Sequence, residues 1–461
     1  MKKLLILFLS IAPLFLLSQE INKLSLEQAK AYALEHNYDM RNAETDVEIA
    51  KNRVKETLAT GLPQINGGIS NTNYIDIPTQ LLPDFITPAV YQANQQYFGL
   101  TPEKPLGETQ FFPVQFGTKH NATASVSASQ LIFNGQFIVG LRASRTFLEN
   151  TRIQNVKSRV EVKNATSIAY YSVLLTEENY DVLRENLEQT KKMADQTTEL
   201  YKEGFIDETE TDQLNLLVAN METALLSLEN QINIAYANLK LTLGMSLEDS
   251  LQLADDLEYL IDQIDYGTLL AEKFNINNNL DYKILRKQKE LTVNQLNLER
   301  AAYLPTLSAF FSAQTQALRS EYNFLDGDEP WYPTTLWGFE MNIPLFSSGN
   351  RAAKVQKAKL ELRKMEVLDS KMQSSLNINV SRAKTNLYNA FLVYQNKKSN
   401  LELAEKIKNR MGEKFTEGVS SSMDLLQANN QYLTAESEYI NAVMDLVNAE
   451  LSLEKLMYED D

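Results

Sequence analysis

The residues able to do chemistry in this chain are few, and most of them are carboxylates in one pattern. The stretch "LYKEGFIDETETDQLN", beginning at Leu200, sets Glu203, Asp207, Glu208, Glu210 and Asp212 around a single glycine, Gly204. The stretch "KFTEGVSSSMDLLQAN", beginning at Lys414, repeats the frame. Glu203-Gly204 aligns with Glu417-Gly418, Glu210 with Asp424, Gln213 with Gln427 and Asn215 with Asn429, all at an offset of 214. Carboxylates so placed can attract cations, or can favour the start of a helix. A zinc or nucleophilic site needs other residue types, and these are scarce. There is no cysteine, and the two histidines, His36 and His120, stand far apart. Disulfides, thiolate metal sites and a lipoprotein-type acylated cysteine are excluded. With no phosphate loop, triad or ligand cluster, the chain reads as a non-enzyme without a cofactor. Its net charge of −16 argues against a nucleic-acid partner.

A glycine between long glycine-free runs marks the tight turn of a helical hairpin, so the elements around the two turns must position these acids. Residues 141–203 and 350–411 contain neither glycine nor proline. Runs of about sixty residues predict helices roughly 90 Å long at 1.5 Å per residue. In the second arm, Leu425, Tyr432, Tyr439, Leu446 and Leu453 recur every seven residues, with Ala428, Ala435, Ala442 and Ala449 three residues after the first four. Large residues at one seam and alanine at the other let helices approach closely. The flanking stripe of Leu426, Leu433, Ile440 and Val447 suggests neighbours on two sides. The first hairpin has the same frame in Leu214, Val218, Met221, Leu225, Leu228, Ile232, Ala235 and Leu239.

The duplication extends upstream. Leu62-Pro63 matches Leu304-Pro305, Asn37 matches Asn279 and Asp39 matches Asp281, all at an offset of 242, while Gly135 answers Gly349 at 214. The expected organisation is a first repeat over 20–244 (helix 24–60, β-zone 61–135, hairpin 136–244) and an acidic junction over 245–265. A second repeat follows over 266–461 (helix 266–303, β-zone 304–349, hairpin 350–457). Eleven of the twelve prolines lie in the two β-zones or at their edges, and the other is Pro13. In "TLWGFEMNIPLF", Trp337, Phe339, Met341, Ile343 and Leu345 alternate with mostly polar or small residues, as do Ala122, Ala124, Val126 and Ala128. "LSAFFSAQT" from Leu307 alternates less cleanly. Two strands per half, four in all, cannot close a barrel, and their apolar face would be left exposed. The tryptophans, tyrosines and phenylalanines of these zones resemble interfacial girdles.

Before all this, Lys2-Lys3 and the apolar "LLILFLSIAPLFLLS" predict a secretory signal peptide over 1–19, cleaved near Ser18 or Gln19. No other stretch reaches 18 apolar residues, so membrane insertion of the exported protein requires a β-barrel.

Leader, duplicated half, Leu-Pro before a strand, "LIFNG" and "PLFSSG" before a long helix, and a glycine hairpin turn together resemble the TolC-like outer-membrane efflux proteins, or outer membrane factors, over about residues 24–457. The resemblance implies an internally duplicated α+β membrane protein. Its very long helical hairpins would form a periplasmic α-barrel. Its four strands per chain would join those of two further copies in a trimeric 12-stranded outer-membrane β-barrel, with the junction in an equatorial belt.

The implied function is a passive exit duct of a tripartite efflux or type I secretion system in the cell outer membrane. The implied partners are a homotrimer, a periplasmic adaptor (membrane fusion) protein, an inner-membrane pump of RND, ABC or MFS type, and outer-membrane lipid. Glu210, Asp424, Gln427 and Asp207 are the expected pore constriction. Gly204, Phe205, Gly418, Val419 and Ser420 are the expected adaptor-docking tips, and Trp337, Phe339, Met341 and Ile343 the expected lipid-facing residues. Threefold symmetry would turn each inward carboxylate into a ring favouring cations. The family's tip-closing aromatic hydroxyl and arginine are here Phe415 and Ser420, so closure would use other bonds or the resting channel would be less tightly shut. The alternative is a periplasmic coiled-coil adaptor or scaffold, which would carry one hairpin and soluble β-domains.

Overall fold

The computed structural model describes residues 22–84, 86–99, 111–264 and 266–458. The leader expected over 1–19 lies outside them, as do Pro102 and Pro105 of the first β-zone. In chain order the elements are β1 (Asn22–Leu24), α1 (Leu26–His36), α2 (Tyr38–Ala59), β2 (Gln64–Asn73), β3 (Thr79–Pro83), α3 (Ile86–Phe98), β4 (Phe111–Gln115), β5 (His120–Asn134) and α4 (Gly135–Lys202). There follow α5 (Glu208–Leu243), β6 (Leu251–Leu253), α6 (Leu257–Asp262), α7 (Tyr266–Ala271), α8 (Leu280–Ala301), β7 (Thr306–Arg319), β8 (Tyr332–Asn342), α9 (Asn350–Thr416) and α10 (Ser422–Met457). The described residues divide into a helical unit (within 22–52, 145–293 and 360–458) and a sheet unit (within 53–144 and 294–359).

In the helical unit, α5 and α10 are both 36 residues long and stand 214 residues apart. The seven-residue stripe of α10 is its packed seam. Leu425, Ala428, Tyr432, Ala435, Ala442, Leu446 and Leu453 are buried, and Tyr439 and Ala449 are partly buried against the same core. Leu214, Met221, Leu228, Ala235 and Leu239 do the same on α5. Each such leucine contributes about 1.5–3 kcal/mol relative to exposure. The main core gathers Tyr170 of α4, Leu239 and Leu243 of α5, and Val443, Leu446 and Val447 of α10.

The single helix expected over 24–60 is two. Ser25 caps α1 with Gln28 in a reciprocal capping box, and Asn37 ends α1 and starts α2. The Asn37 side-chain oxygen Oδ1 accepts from the backbone N–H groups of Asp39 (2.7 Å) and Met40 (3.2 Å), and its Nδ2 donates to the Thr242 carbonyl (2.6 Å). Its repeat counterpart Asn279 does the same work, accepting from Tyr282 N–H and donating to the Leu456 carbonyl. Thr242 and Leu456 are themselves 214 residues apart. The helix expected over 266–303 is also broken, into α7 and α8, because Asn279 caps α8 in the same way. The first β-zone contains a helix, α3, that the proline count did not suggest. The acidic junction holds β6, which pairs parallel with β1, and α6.

Glu436 is 5% exposed on α10. Burial pushes its carboxyl up to about 7, with Lys408 opposing that and Glu178 adding to it. A carboxyl raised above its unfolded value favours the folded state below the unfolded pKa and loses that contribution as pH rises through the folded one. Stability therefore falls between about pH 4.5 and pH 7 on this account. Glu436→Gln should leave stability near pH 4 unchanged and raise it by about 2 kcal/mol at pH 8. Urea denaturation at the two pH values checks this, and equal shifts at both would refute it.

In the sheet unit, β2, β5, β7 and β8 form an antiparallel sheet in the order β2-β5-β7-β8, and β3 pairs with β4 in a separate ribbon. A register shift between Leu131 and Phe133 interrupts β5 against β7.

Candidate functional site

Two features carry the expected functional residues, one in each unit. At the hairpin tips, Gly204 and Gly418 adopt φ of +79° and +74°, a region glycine enters without the Cβ penalty. Each closes its helix in the same way. Gly204 N–H donates to the Tyr201 carbonyl and Phe205 N–H to Leu200, while Gly418 N–H donates to Phe415 and Val419 N–H to Lys414. This is the Schellman arrangement. It leaves Phe205 and Val419, the residues after the two glycines, 76% and 71% exposed. Ser420 donates its hydroxyl to the Met411 carbonyl (3.4 Å).

The acids lie at the helix starts beyond these turns. Ser421 is the N-cap of α10, and Asp424, three residues on, accepts from the Ser421 backbone N–H (3.1 Å) and hydroxyl (2.9 Å). The Ser421 hydroxyl holds the Asp424 carboxyl below its ordinary value. Because that pKa is depressed, the cap persists above the ordinary carboxylate range and is lost only as pH falls through the lowered one. On α5 the N-cap is Asp207, whose side chain makes no capping bond, and Glu210 holds the position equivalent to Asp424. Asp207 is exposed and Glu210 half-buried, and Gln427 is exposed on α10 one turn beyond Asp424. Ser421→Ala should therefore raise amide exchange in the first turn of α10 several-fold, while Asp207→Ala leaves the start of α5 nearly unchanged. Equal responses at the two tips would contradict this difference.

Behind the tips lie contacts that the sequence pattern did not single out. Ser422 donates to Gln213 Oε1 (3.0 Å), and Phe415 packs against a small core of Ala194, Leu214 and Leu425. Asn186 of α4 donates to Asn429 Oδ1 (2.9 Å), both side chains being buried. The signal for this pair was present, since Asn429 already matched Asn215 across the repeat.

The sheet is two-faced across all four strands. Register places Ile65, Ala128, Phe311 and Trp337 in one row, and Gly67, Val126, Ala313 and Thr335 in another on the same face. The opposite face carries Gly68, Ser125, Gln314 and Thr334, then Ser70, Thr123, Gln316 and Tyr332. Trp337, Phe339 and Met341 are exposed on the apolar face, Trp337 at 73%. Ile343, expected with them, is exposed but lies one residue beyond the end of β8. The less clean alternation of "LSAFFSAQT" has a local cause. Phe310 points to the polar face opposite Gly338, where a Cβ would meet its ring at 2.9 Å, so the aromatic covers the glycine.

Among the described residues, no group of three or more His, Cys, Asp or Glu side chains is arranged to hold a metal ion, and no helix is long and apolar enough to cross a membrane.

Comparison with known proteins bears on both features. The sequence model of the outer membrane efflux protein family matches residues 276–457. The proteases secretion protein PrtF of Dickeya chrysanthemi is 24% identical over 142 residues, 30% of this chain and 29% of that protein. The match thus spans less than a third of that relative's length. The outer membrane protein VceC of Vibrio cholerae superposes with a TM-score of 0.67 at 14% identity, covering 94% of this chain and 96% of that one. The Campylobacter jejuni CmeC outer membrane channel gives 0.68 at 18% identity, covering 95% and 87%. The resemblance read from the sequence holds, in sequence over the second half and in fold over nearly the whole chain.

Proposed function

We infer that this chain, with the fold of TolC-like outer-membrane channels and an outer membrane efflux protein signature over residues 276–457, is the outer-membrane duct of an export system. The observation that carries this reading is the two-faced sheet. Its outer strands β2 and β8 are each paired on one side only within the sheet. An apolar face bearing Ile65, Phe311 and Trp337 suits lipid, and a face of serine, threonine and glutamine suits a water-filled lumen. Three copies joined edge to edge give a twelve-stranded barrel without open edges. The helical hairpins then continue as the periplasmic tunnel. Their tips, with the exposed Phe205 and Val419, are the docking points for a periplasmic adaptor, and an inner-membrane pump supplies the energy. The duct performs no chemical step.

The tip acids tune the passage of ions. Asp424 is committed to its helix cap, so Glu210 is the better candidate for a ring of carboxylates facing the pore. In planar bilayers, Glu210→Gln combined with Asp424→Asn should lower the preference for cations over anions, with Glu210→Gln alone giving most of the change. Unaltered conductance and selectivity in the double variant would remove the tips from the gating account.

The first test of the reading as a whole is the mass of the protein extracted from purified outer membranes in mild detergent. A heat-labile complex of three copies is the expected result. Release from the periplasm as a single copy without detergent would instead favour a scaffold.

A further inference from the structure

The duplication makes the contacts inside one chain a template for contacts between chains. α4 meets two helices of the second repeat through specific polar pairs: Asn186 with Asn429 of α10 at 2.9 Å, and Lys157 with Asp281 of α8 at 2.6 Å. Moving each residue to its counterpart in the other repeat, at the offsets of 214 and 242, converts these pairs into Asn400 with Asn215, and Lys371 with Asp39. All four counterparts have the same residue type as the residues they replace. In a single chain they do not meet: Asn400, Asn215, Lys371 and Asp39 are all exposed.

The surroundings of these four residues also suit burial. On α9, Val367, Ile378, Leu392 and Leu403 are exposed, and their spacing puts them on the same face as Lys371 and Asn400. On α5, Leu226 is exposed on the face that carries Asn215. The two columns that receive such a face are built alike. Asn37 joins the start of α2 to the end of α5 through Thr242, and Asn279 joins the start of α8 to the end of α10 through Leu456. The α10–α8 column is covered by α4 of the same chain, whereas the α5–α2 column leaves the equivalent residues open.

We propose that the occupant of this open face is α9 of a second copy of the chain, with Lys371 paired to Asp39 and Asn400 to Asn215 of that copy. The contact is heterologous, joining different surfaces of two copies. Repeated in one sense it closes a ring. The proposal rests on the trimeric duct inferred above and supplies its side-chain register. The polar pairs fix that register, and the apolar stripe on α9 contributes the buried area.

A chain without cysteine allows a direct test. Asn215→Cys with Asn400→Cys in one full-length chain, and separately Asp39→Cys with Lys371→Cys, are treated with a short bismaleimide in detergent-extracted outer membranes and resolved on denaturing gels. The internal pair Asn186→Cys with Asn429→Cys serves as the reference and stays at the mass of one chain. The expected result for each of the other two pairs is covalent species of two and three chains, ending at three and absent from the single variants. A native complex of several copies that gives no such species, or links only within one chain, overturns the pairing while leaving the duct intact. Extraction as a single copy overturns both.

Discussion

Replacing Tyr170 by alanine should cost about 4 kcal/mol, the upper range for deleting a buried aromatic. Among the described residues, Tyr170 is the largest fully buried side chain, and it belongs to the main core. Its hydroxyl sits 3.0 Å from the Leu24 carbonyl oxygen and 3.2 Å from Asp255 Oδ2, and accepts from the Asp255 backbone N–H at 3.3 Å. The same Asp255 oxygen accepts from Leu26 N–H at 2.6 Å. One ring thus supports both β1 and the loop after β6. Burial pushes the phenol up to about 12, so it stays a protonated donor across the working range. Tyr170→Phe keeps the packing and loses the hydroxyl, and should cost about 1–2 kcal/mol. Urea denaturation followed by circular dichroism separates the two variants. Equal losses would assign the whole effect to the hydroxyl and contradict the packing account.

The second large effect concerns Gly244. It ends α5 with φ of +77°, and a Cβ there would lie 2.3 Å from the His36 carbonyl oxygen and 2.7 Å from its carbon. The obstacle is backbone, held in place by the Asn37 cap, and it cannot rotate away. Gly244→Ala adds about 1–2 kcal/mol of left-handed strain to an overpacking cost of about 1–3 kcal/mol. A loss of roughly 3 kcal/mol is expected. Gly204→Ala is the control, because its φ is nearly the same but a Cβ there has nothing within 4 Å. It should cost only the strain. Thermal midpoints of the two variants measure the difference, and a Gly244→Ala loss no larger than that of Gly204→Ala would refute the close approach.

Much of this fold was written in the spacing of residues. The seven-residue stripe from Leu425 to Leu453 and the glycine turns are local patterns, and a long helix with no tertiary competitor follows them. The breaks at Asn37 and Asn279 were less visible, because an asparagine ends a helix only when something distant takes its amide. Here that is the carbonyl of Thr242 or Leu456, some two hundred and one hundred and eighty residues away. Phe310 broke the strand pattern for a similar reason, since its place over Gly338 is fixed by cross-strand register. The site was legible in position more than in role. Glu210 and Asp424 match in the repeat, yet only Asp424 has a serine before it to complete a capping box, and that assigns the two acids different work. Asn429 was marked by its match to Asn215, but its partner Asn186 could be found only once α4 and α10 were known to be neighbours.

The short parallel pair of β1 and β6 has a consequence in time. The Leu26 N–H, just after β1, donates to Asp255 Oδ2, 229 residues further along. At synthesis rates of about 5–20 residues per second, the early strand waits on the order of ten to forty-five seconds for its partner to exist. The first repeat is therefore not a self-sufficient folding unit, although it contains a full hairpin. A nascent chain stopped before residue 251 leaves β1 unpaired and the Tyr170 hydroxyl without its Asp255 partner. Closure of so distant a loop is slow, and β1 stays uncommitted until residues 251–255 have been made.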